Sequence, residues 1–128
     1  MAGPYRTIVT ERKGDVFCVR LKWPQLDDTE VCELGEELAR LVNEGGCRKL
    51  LFSLGPEPPQ LIYSVFVGKL LMVRRLLQEH EGAMKLCDVS PRVRGVFDAL
   101  HLSQYFEFHP DQAAGLASFG ESPPQPGH

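Results

Sequence analysis

The sequence predicts an α/β domain built on a mixed, mostly parallel sheet of four or five strands, with an antiparallel N-terminal edge strand and about four helices. Short runs rich in β-branched residues alternate with longer segments whose apolar residues recur every three or four positions. Strands separated by helices pair in parallel through right-handed crossovers. The 128 residues, 43% hydrophobic and 24% charged, are enough for one domain with its own core.

The first elements are a hairpin and a helix. Residues 5–11 and 15–22 are two short strands, joined by a turn at Gly14. The helix that follows has an apolar stripe facing the core and a charged solvent side. The stripe consists of Val31, Leu34, Leu38, Leu41 and Val42, and the solvent side of Glu30, Glu33, Glu36, Glu37 and Arg40. Asp27 or Asp28 caps its start, and Gly45 ends it.

The second half continues the alternation. Residues 49–54 are a strand covered on both faces, followed by a proline-rich loop at 55–59, a helix over 64–80 and a strand over 84–88. Ser90 and Pro91 are a helix N-cap and first residue. The buried face of that helix is expected to hold Val93, Val96, Phe97 and Leu100. A strand over 105–108 and a helix over 111–119 complete a single domain at 1–119, and prolines predict a disordered tail at 120–128.

Composition narrows the class of protein. Fourteen basic against seventeen acidic residues give a net charge of −3, which argues against nucleic acid as a partner. The longest apolar stretch, 61–73, is short of the about 20 residues of a spanning helix, so no membrane insertion is expected. The N-terminus has no secretory pattern. The cysteines at 18, 32, 47 and 87 form no CxxC pair and are expected to be reduced core thiols of a cytoplasmic protein.

The sequence contains few features that indicate an enzyme. It contains no GxGxxG, phosphate-binding GK[ST], HExxH or GxSxG motif, and its histidines are scattered. No catalytic residue, metal site or cofactor is therefore predicted. Tyr105, Phe106 and Phe108 are expected in the core rather than on a base-stacking surface.

Ser64 is the position that stands out. It follows the proline-rich loop and begins the second helix among apolar residues. A hydroxyl there lies near unpaired backbone N–H groups and the positive end of the helix dipole. Ser64 is therefore either a helix cap or a site where a phosphate would change the surface charge.

Three stretches carry a likeness to a known family: VFCVRLKWPQLDDTE, CRKLLFSL and the segment over 61–119. The most specific part reads LCDVSPRVRGVFDALHLSQYF, a strand followed by a Ser-Pro helix start, an apolar helix and a further strand. From about residue 15 to residue 119 the chain resembles the STAS domains of bacterial anti-sigma factor antagonists, also called anti-anti-sigma factors. The resemblance implies the STAS fold, in agreement with the alternation of strands and helices.

The resemblance also implies a switch. In this family a serine after an aspartate, at the start of the second helix, is phosphorylated by a partner anti-sigma factor, a serine kinase of the GHKL type. The unphosphorylated antagonist binds that partner and frees the sigma factor, and the phosphorylated antagonist releases it. Ser64 falls on the phosphoacceptor and Asp27 on an aspartate beside the partner-binding surface. The implied partner-binding residues are Asp27, Tyr63, Ser64, Val65, Val67 and Gly68.

This chain departs from the family pattern around Ser64. Tyr63 stands in place of the aspartate, Val65 in place of a small hydroxyl residue and Phe66 in place of the first glycine. Two hypotheses stay open: a phosphorylation-controlled antagonist, or a degenerate, non-phosphorylated STAS domain acting as a constitutive interaction or homodimerisation module. A ligand binder ranks third, because no polar cluster marks a pocket. Along the helix, Ile62, Phe66 and Leu70 are expected inside, and Tyr63 and Val67 nearer the surface.

Overall fold

The computed structural model of the chain describes residues 5–22, 27–54 and 64–119. The strands in these ranges are β1 (Ile8–Lys13), β2 (Val16–Leu21), β3 (Lys49–Ser53), β4 (Ala83–Cys87) and β5 (Glu107–His109). The α-helices are α1 (Asp28–Asn43), α2 (Ser64–Glu79), α3 (Pro91–Ala99) and α4 (Gln112–Ser118), with a 3₁₀ turn at Ser103–Tyr105. The strands form one sheet in the order β1-β2-β3-β4-β5. Only β1 and β2 pair antiparallel among them, which confirms the predicted mixed sheet.

The main core lies between one face of the sheet and the helices α1, α2 and α3. Side chains alternate along each strand, so Leu50 and Phe52 of β3 point to this face and Leu51 points to the other. Val93 and Phe97 of α3 belong to the same cluster. Burying these side chains supplies most of the apolar area that stabilises the domain.

The second face of the sheet is covered by α4. Leu116 and Phe119 pack there against Val16, Cys18, Leu51 and Cys87. The helix approaches the sheet closely because residue 115 is glycine. A Cβ atom at Gly115 would lie 2.5 Å from Cδ1 of Leu51, a side chain that is 1% exposed.

Replacing Gly115 with alanine should therefore destabilise the domain although alanine is the better helix former. We expect a loss of about 1–2 kcal/mol in the free energy of unfolding, since overpacking costs about 1–3 kcal/mol and helix propensity returns under 1 kcal/mol. Gly95→Ala in α3 is the matched control, because its Cβ would meet no atom within 4 Å. Urea unfolding of both variants should show opposite signs, and a stabilising Gly115→Ala would contradict this account of how α4 packs.

Several expectations about burial are wrong. Glu37, expected on the solvent side of α1, is 1% exposed. Leu100 and Tyr105, expected in the core, are 37% and 42% exposed. Cys32 is exposed, whereas the other three cysteines are buried as expected.

Each of these differences has a physical cause. The backbone N–H groups of Arg6 and Thr7 donate hydrogen bonds to the Glu37 carboxylate, which keeps it buried. Leu100 follows the last residue of α3, which ends at Ala99, so the apolar stripe of the helix does not extend to it. Tyr105 closes the 3₁₀ turn, and the last strand is Glu107–His109 rather than 105–108. Tyr105 instead contacts Arg74, whose guanidinium carbon lies 5.6 Å from the ring centroid.

Within the described ranges, none of the helices has both the length and the apolar character that crossing a bilayer demands. The expected tail at 120–128 and the proline-rich loop at 55–59 lie outside the described residues.

Candidate functional site

The carboxyl edge of the sheet is where the helices of the main layer begin. β2, β3 and β4 run parallel, so their carboxyl ends meet at one edge. α1, α2 and α3 each follow one of these strands in the chain and return from that edge. Their N-termini carry Asp27, Ser64 and Ser90. Parallel α/β folds characteristically place their binding residues at this edge.

Asp27 caps α1 and remains exposed to solvent. One of its carboxylate oxygens accepts a hydrogen bond from the Glu30 backbone N–H at 2.8 Å. The Glu30 side chain accepts one from the Asp27 backbone N–H at 3.1 Å, which completes a capping box. The prediction that Asp27 or Asp28 begins this helix is confirmed for Asp27. The cap also fixes where the Asp27 carboxylate stands at the edge.

The backbone of α2 begins at Ser64, as predicted. Phe66 and Leu70 are buried as expected, but Val67 is fully buried rather than near the surface. Val65 is 49% exposed, and Gly68 is also exposed. Of the predicted partner-binding residues in this helix, Val65 and Gly68 are therefore accessible and Val67 is not. Tyr63 and Ile62 lie outside the described residues.

Val67 is buried because the stripe that packs on the core is wider than expected. The buried residues of α2 are Phe66, Val67, Leu70, Val73 and Leu77. This spacing of one, three, three and four residues covers a broad face of the helix. The opposite face carries Val65, Gly68 and Met72, with Met72 42% exposed.

A polar cluster that the sequence did not reveal joins β3 to β4 at the same edge. The Ser53 hydroxyl donates a hydrogen bond of 2.7 Å to Oδ2 of Asp88. The Cys87 thiol lies 3.3 Å from the same oxygen. Burial, reinforced by the neighbouring Asp88 carboxylate, raises the pKa of the Cys87 thiol to about 12, so the thiol stays protonated and can donate.

Asp88 also has an uncommon backbone conformation, with φ of 57°. Aspartate tolerates this left-handed region better than most residues, but it is still strained. The Leu54 backbone N–H donates to the Cys87 carbonyl at 3.0 Å, so the two strand ends are tied by backbone and side chain together. Ser53 and Asp88 thus fix the point at which the chain leaves β3 toward α2.

Ser90 completes the edge in the predicted role. Its hydroxyl accepts a hydrogen bond from the Val93 backbone N–H at 3.2 Å, and Pro91 is at the start of α3. In the part of the chain that the structure describes, no three His, Cys, Asp or Glu side chains are grouped to hold a metal ion.

These features define an α/β domain that presents helix starts and one exposed apolar residue, Val65, at the carboxyl edge of its sheet. The STAS domain family model matches residues 7–114. The chain therefore belongs to the STAS domain family, and the resemblance found in its sequence is confirmed.

Solved structures show the same fold. An anti-sigma factor antagonist (STAS) domain protein from Planctomyces limnophilus has a TM-score of 0.76 at 19% identity, over 88% of this chain and 97% of that chain. The Bacillus cell fate determinant SpoIIAA in its phosphorylated form has a TM-score of 0.64 at 21% identity, over 84% and 95%. A chain of the stressosome, a signal integration and transduction hub, has a TM-score of 0.64 at 15% identity, over 87% and 95%. This chain thus has the fold of anti-sigma factor antagonists.

Proposed function

We propose that this protein is a cytoplasmic, non-enzymatic regulator that binds an anti-sigma factor, a serine kinase of the GHKL type, and releases it when Ser64 is phosphorylated. The single observation that carries the proposal is the position of Ser64 as the first residue of α2, at the edge where Asp27 begins α1. The fold similarity to SpoIIAA, a protein known in a phosphorylated form, supports it.

The accessible face of α2 supports a protein partner. Val65 is half exposed, and Gly68 adds no side chain, so a partner can approach the helix backbone closely between Val65 and Met72. Exposed apolar residues that share one side of a helix, as Val65 and Met72 do, form the kind of apolar patch that marks contact surfaces. Tyr63 and Ser64 precede this face in the chain, and Asp27 shares its edge.

Phosphorylation would act on this surface through charge. A phosphate adds about −1.5 to −2 charges at neutral pH, and the first turn of a helix accommodates an anion well. The domain itself should therefore tolerate the phosphate. A partner that had covered the same surface would have to desolvate it, which weakens binding.

The test is affinity capture from a native extract with the wild type, Ser64→Asp and Ser64→Ala side by side. Mass spectrometry identifies captured proteins and locates phosphate. We expect a kinase of the GHKL type with the wild type and with Ser64→Ala, phosphate on Ser64 of the wild type, and at least about tenfold less kinase with Ser64→Asp.

Ala113→Asp is the matched control, because it adds one negative charge to the exposed first turn of α4, which packs on the face of the sheet opposite α2. It should capture the kinase as well as the wild type does. An unmodified Ser64 together with equal capture by Ser64→Asp would contradict the proposal.

A second candidate is a degenerate, non-phosphorylated STAS domain that acts as a constitutive interaction or homodimerisation module. The exposure of both Val65 and Met72 favours this candidate. The two residues are seven positions apart, about two helical turns, so they lie on the same side of α2. Sedimentation of the purified chain measures its oligomeric state and so distinguishes the two candidate functions. A stable dimer whose association is lost in Met72→Glu favours this candidate, and a monomer favours the first.

A further inference from the structure

The second face of the sheet contains a cleft that α4 leaves open. α4 packs on β3, β4 and β5, and the cleft lies between its first residue, Gln112, and the strands β1 and β2. Its volume is about 530 Å³, within the usual range of small-molecule sites. Val9, Cys18, Arg20, Leu51, Asp88 and Gln112 are among the residues that line it.

The floor of this cleft is apolar and uncharged. Cys18 is 7% exposed, Leu51 1% and Cys87 is fully buried. Burial raises the pKa of the Cys18 thiol, and that of Cys87 to about 12, so both thiols are neutral at physiological pH. An apolar ligand group would displace water mainly from the half-buried Val9 and from the exposed part of Cys18, above this buried floor.

One wall of the cleft carries the guanidinium of Arg20, which forms no ion pair with any group in the described ranges. Arg20 stands beside Val9 on β1 and beside Ser53 on β3, and two residues after Cys18 on the same side of β2. It is exposed, and within the described ranges neither an ion pair nor a side-chain hydrogen bond involves its guanidinium. A guanidinium donates two parallel hydrogen bonds to a carboxylate, which suits this planar anion.

The acidic residues of the cleft limit the charge of a ligand. Glu11 forms an ion pair with Lys13 at 3.6 Å, and Asp88 accepts from Ser53 and Cys87. Both remain in the lining, so a second negative charge on a ligand would be repelled. A phosphate dianion is therefore a poorer fit than a singly charged carboxylate.

We propose that this cleft is a binding site for a free small monocarboxylic acid with an apolar body, whose carboxylate pairs with Arg20 while the body lies on Val9 and Cys18. The site is on the sheet face opposite α1 and α2, so the proposal stands independently of phosphorylation at Ser64. Ser53 and Asp88 belong both to the cleft and to the link between β3 and β4. A bound acid would thus contact the residues that fix the exit of the chain toward α2.

The test is a titration of the full chain with octanoate, in which binding is monitored through amide chemical shifts in NMR. Octanamide serves as the uncharged analogue, and inorganic phosphate tests whether a small anion competes for the site. For a ligand of this size we expect a Kd of about 0.1–1 mM. Shifts should centre on Cys18, Arg20 and Gln112. Octanamide should bind about tenfold more weakly, and inorganic phosphate should not displace octanoate.

Arg20→Gln should weaken octanoate binding about tenfold, to the level of octanamide. Arg12→Gln is the matched control: Arg12 is on the same hairpin but lies over the Phe17 ring at 4.7 Å, on the opposite sheet face. It should leave the Kd unchanged. Val9→Tyr, on an edge strand that tolerates an aromatic residue, should narrow the cleft and weaken both probes.

Equal affinity for octanoate and octanamide would overturn the proposal, as would undiminished octanoate binding by Arg20→Gln. Shifts centred outside the cleft, or no saturation below about 10 mM, would also overturn it. Each variant is first checked by its amide spectrum, so that loss of binding is read only on a folded domain.

Discussion

Replacing Phe97 with alanine should cost about 3–5 kcal/mol of the free energy of unfolding, which is a large part of the about 5–15 kcal/mol that stabilises a domain of this size. Phe97 is fully buried on α3. Its ring meets those of Phe106 and Phe108 edge-to-face, with centroids 5.4 and 5.5 Å away. These contacts join α3 to Phe106, just before β5, and to β5 itself, which has only three residues in the sheet.

Chemical denaturation of Phe97→Ala and Phe97→Leu measures this effect, with Leu100→Ala, just after the last residue of the same helix, as the control. Leucine retains most of the volume, so Phe97→Leu should lose about 1–2 kcal/mol. Leu100 is 37% exposed, and its replacement should change stability by under about 1 kcal/mol. Comparable losses for Phe97→Ala and Leu100→Ala would mean that the ring contacts do not hold α3 and β5 together.

The order of strands and helices could be predicted because each element carries its own periodic pattern. The apolar stripe of α1, the apolar run of β3 and the Ser90-Pro91 start of α3 are local signals, and all three elements form as expected. The last strand begins at Glu107, two residues after the predicted start at 105. Its local signal was the aromatic content of 105–108, whereas hydrogen bonds within the 3₁₀ turn, such as Tyr105 N–H to the Leu102 carbonyl at 3.0 Å, take up the first of these residues.

The candidate site could be predicted only where a single helix start marks it. Asp27 and Ser90 follow from capping rules that act over a few residues, and Ser64 follows from the change from the proline-rich loop to a helical pattern. The pairing of Ser53 with Asp88 joins residues 35 positions apart, and depends on the register that sets Ser53 beside Cys87. Arg20 is brought into a cleft by the strands on either side and by α4. No local pattern reports such contacts, because they arise only when the sheet is assembled.

The burial of Glu37 also could not be predicted from local pattern, because its partners lie about 30 residues away in the chain. These contacts predict a large loss of stability when Glu37 is replaced. Its carboxylate is 1% exposed on α1 and has no cation among its described contacts. Instead, one oxygen accepts from the Arg6 backbone N–H at 2.6 Å. The other accepts from the backbone N–H and the hydroxyl of Thr7, at 3.0 and 2.6 Å. Glu37 of α1 therefore binds the backbone of the segment that immediately precedes β1.

Glu37→Ala should destabilise the domain by about 3 kcal/mol, because it leaves the partly buried N–H of Arg6 and both buried donors of Thr7 without an acceptor. Thr7→Val removes only the hydroxyl and should cost about 1 kcal/mol. Glu36→Gln is the control on the exposed side of α1 and should change stability by under about 0.5 kcal/mol. Denaturation gives these values, and amide hydrogen exchange should show faster opening of β1 than of β3 in Glu37→Ala.

The double variant Glu37→Ala/Thr7→Val separates a specific contact from general damage to the helix. If the hydroxyl acts through the carboxylate, its loss should cost little once Glu37 is gone, giving a coupling free energy of about 1 kcal/mol. Additive losses, or unchanged exchange in β1, would show that the buried carboxylate does not hold this strand. The Glu37 carboxylate is expected to hold β1 because β1 is an edge strand. Within the sheet, β1 is hydrogen-bonded on one side, to β2.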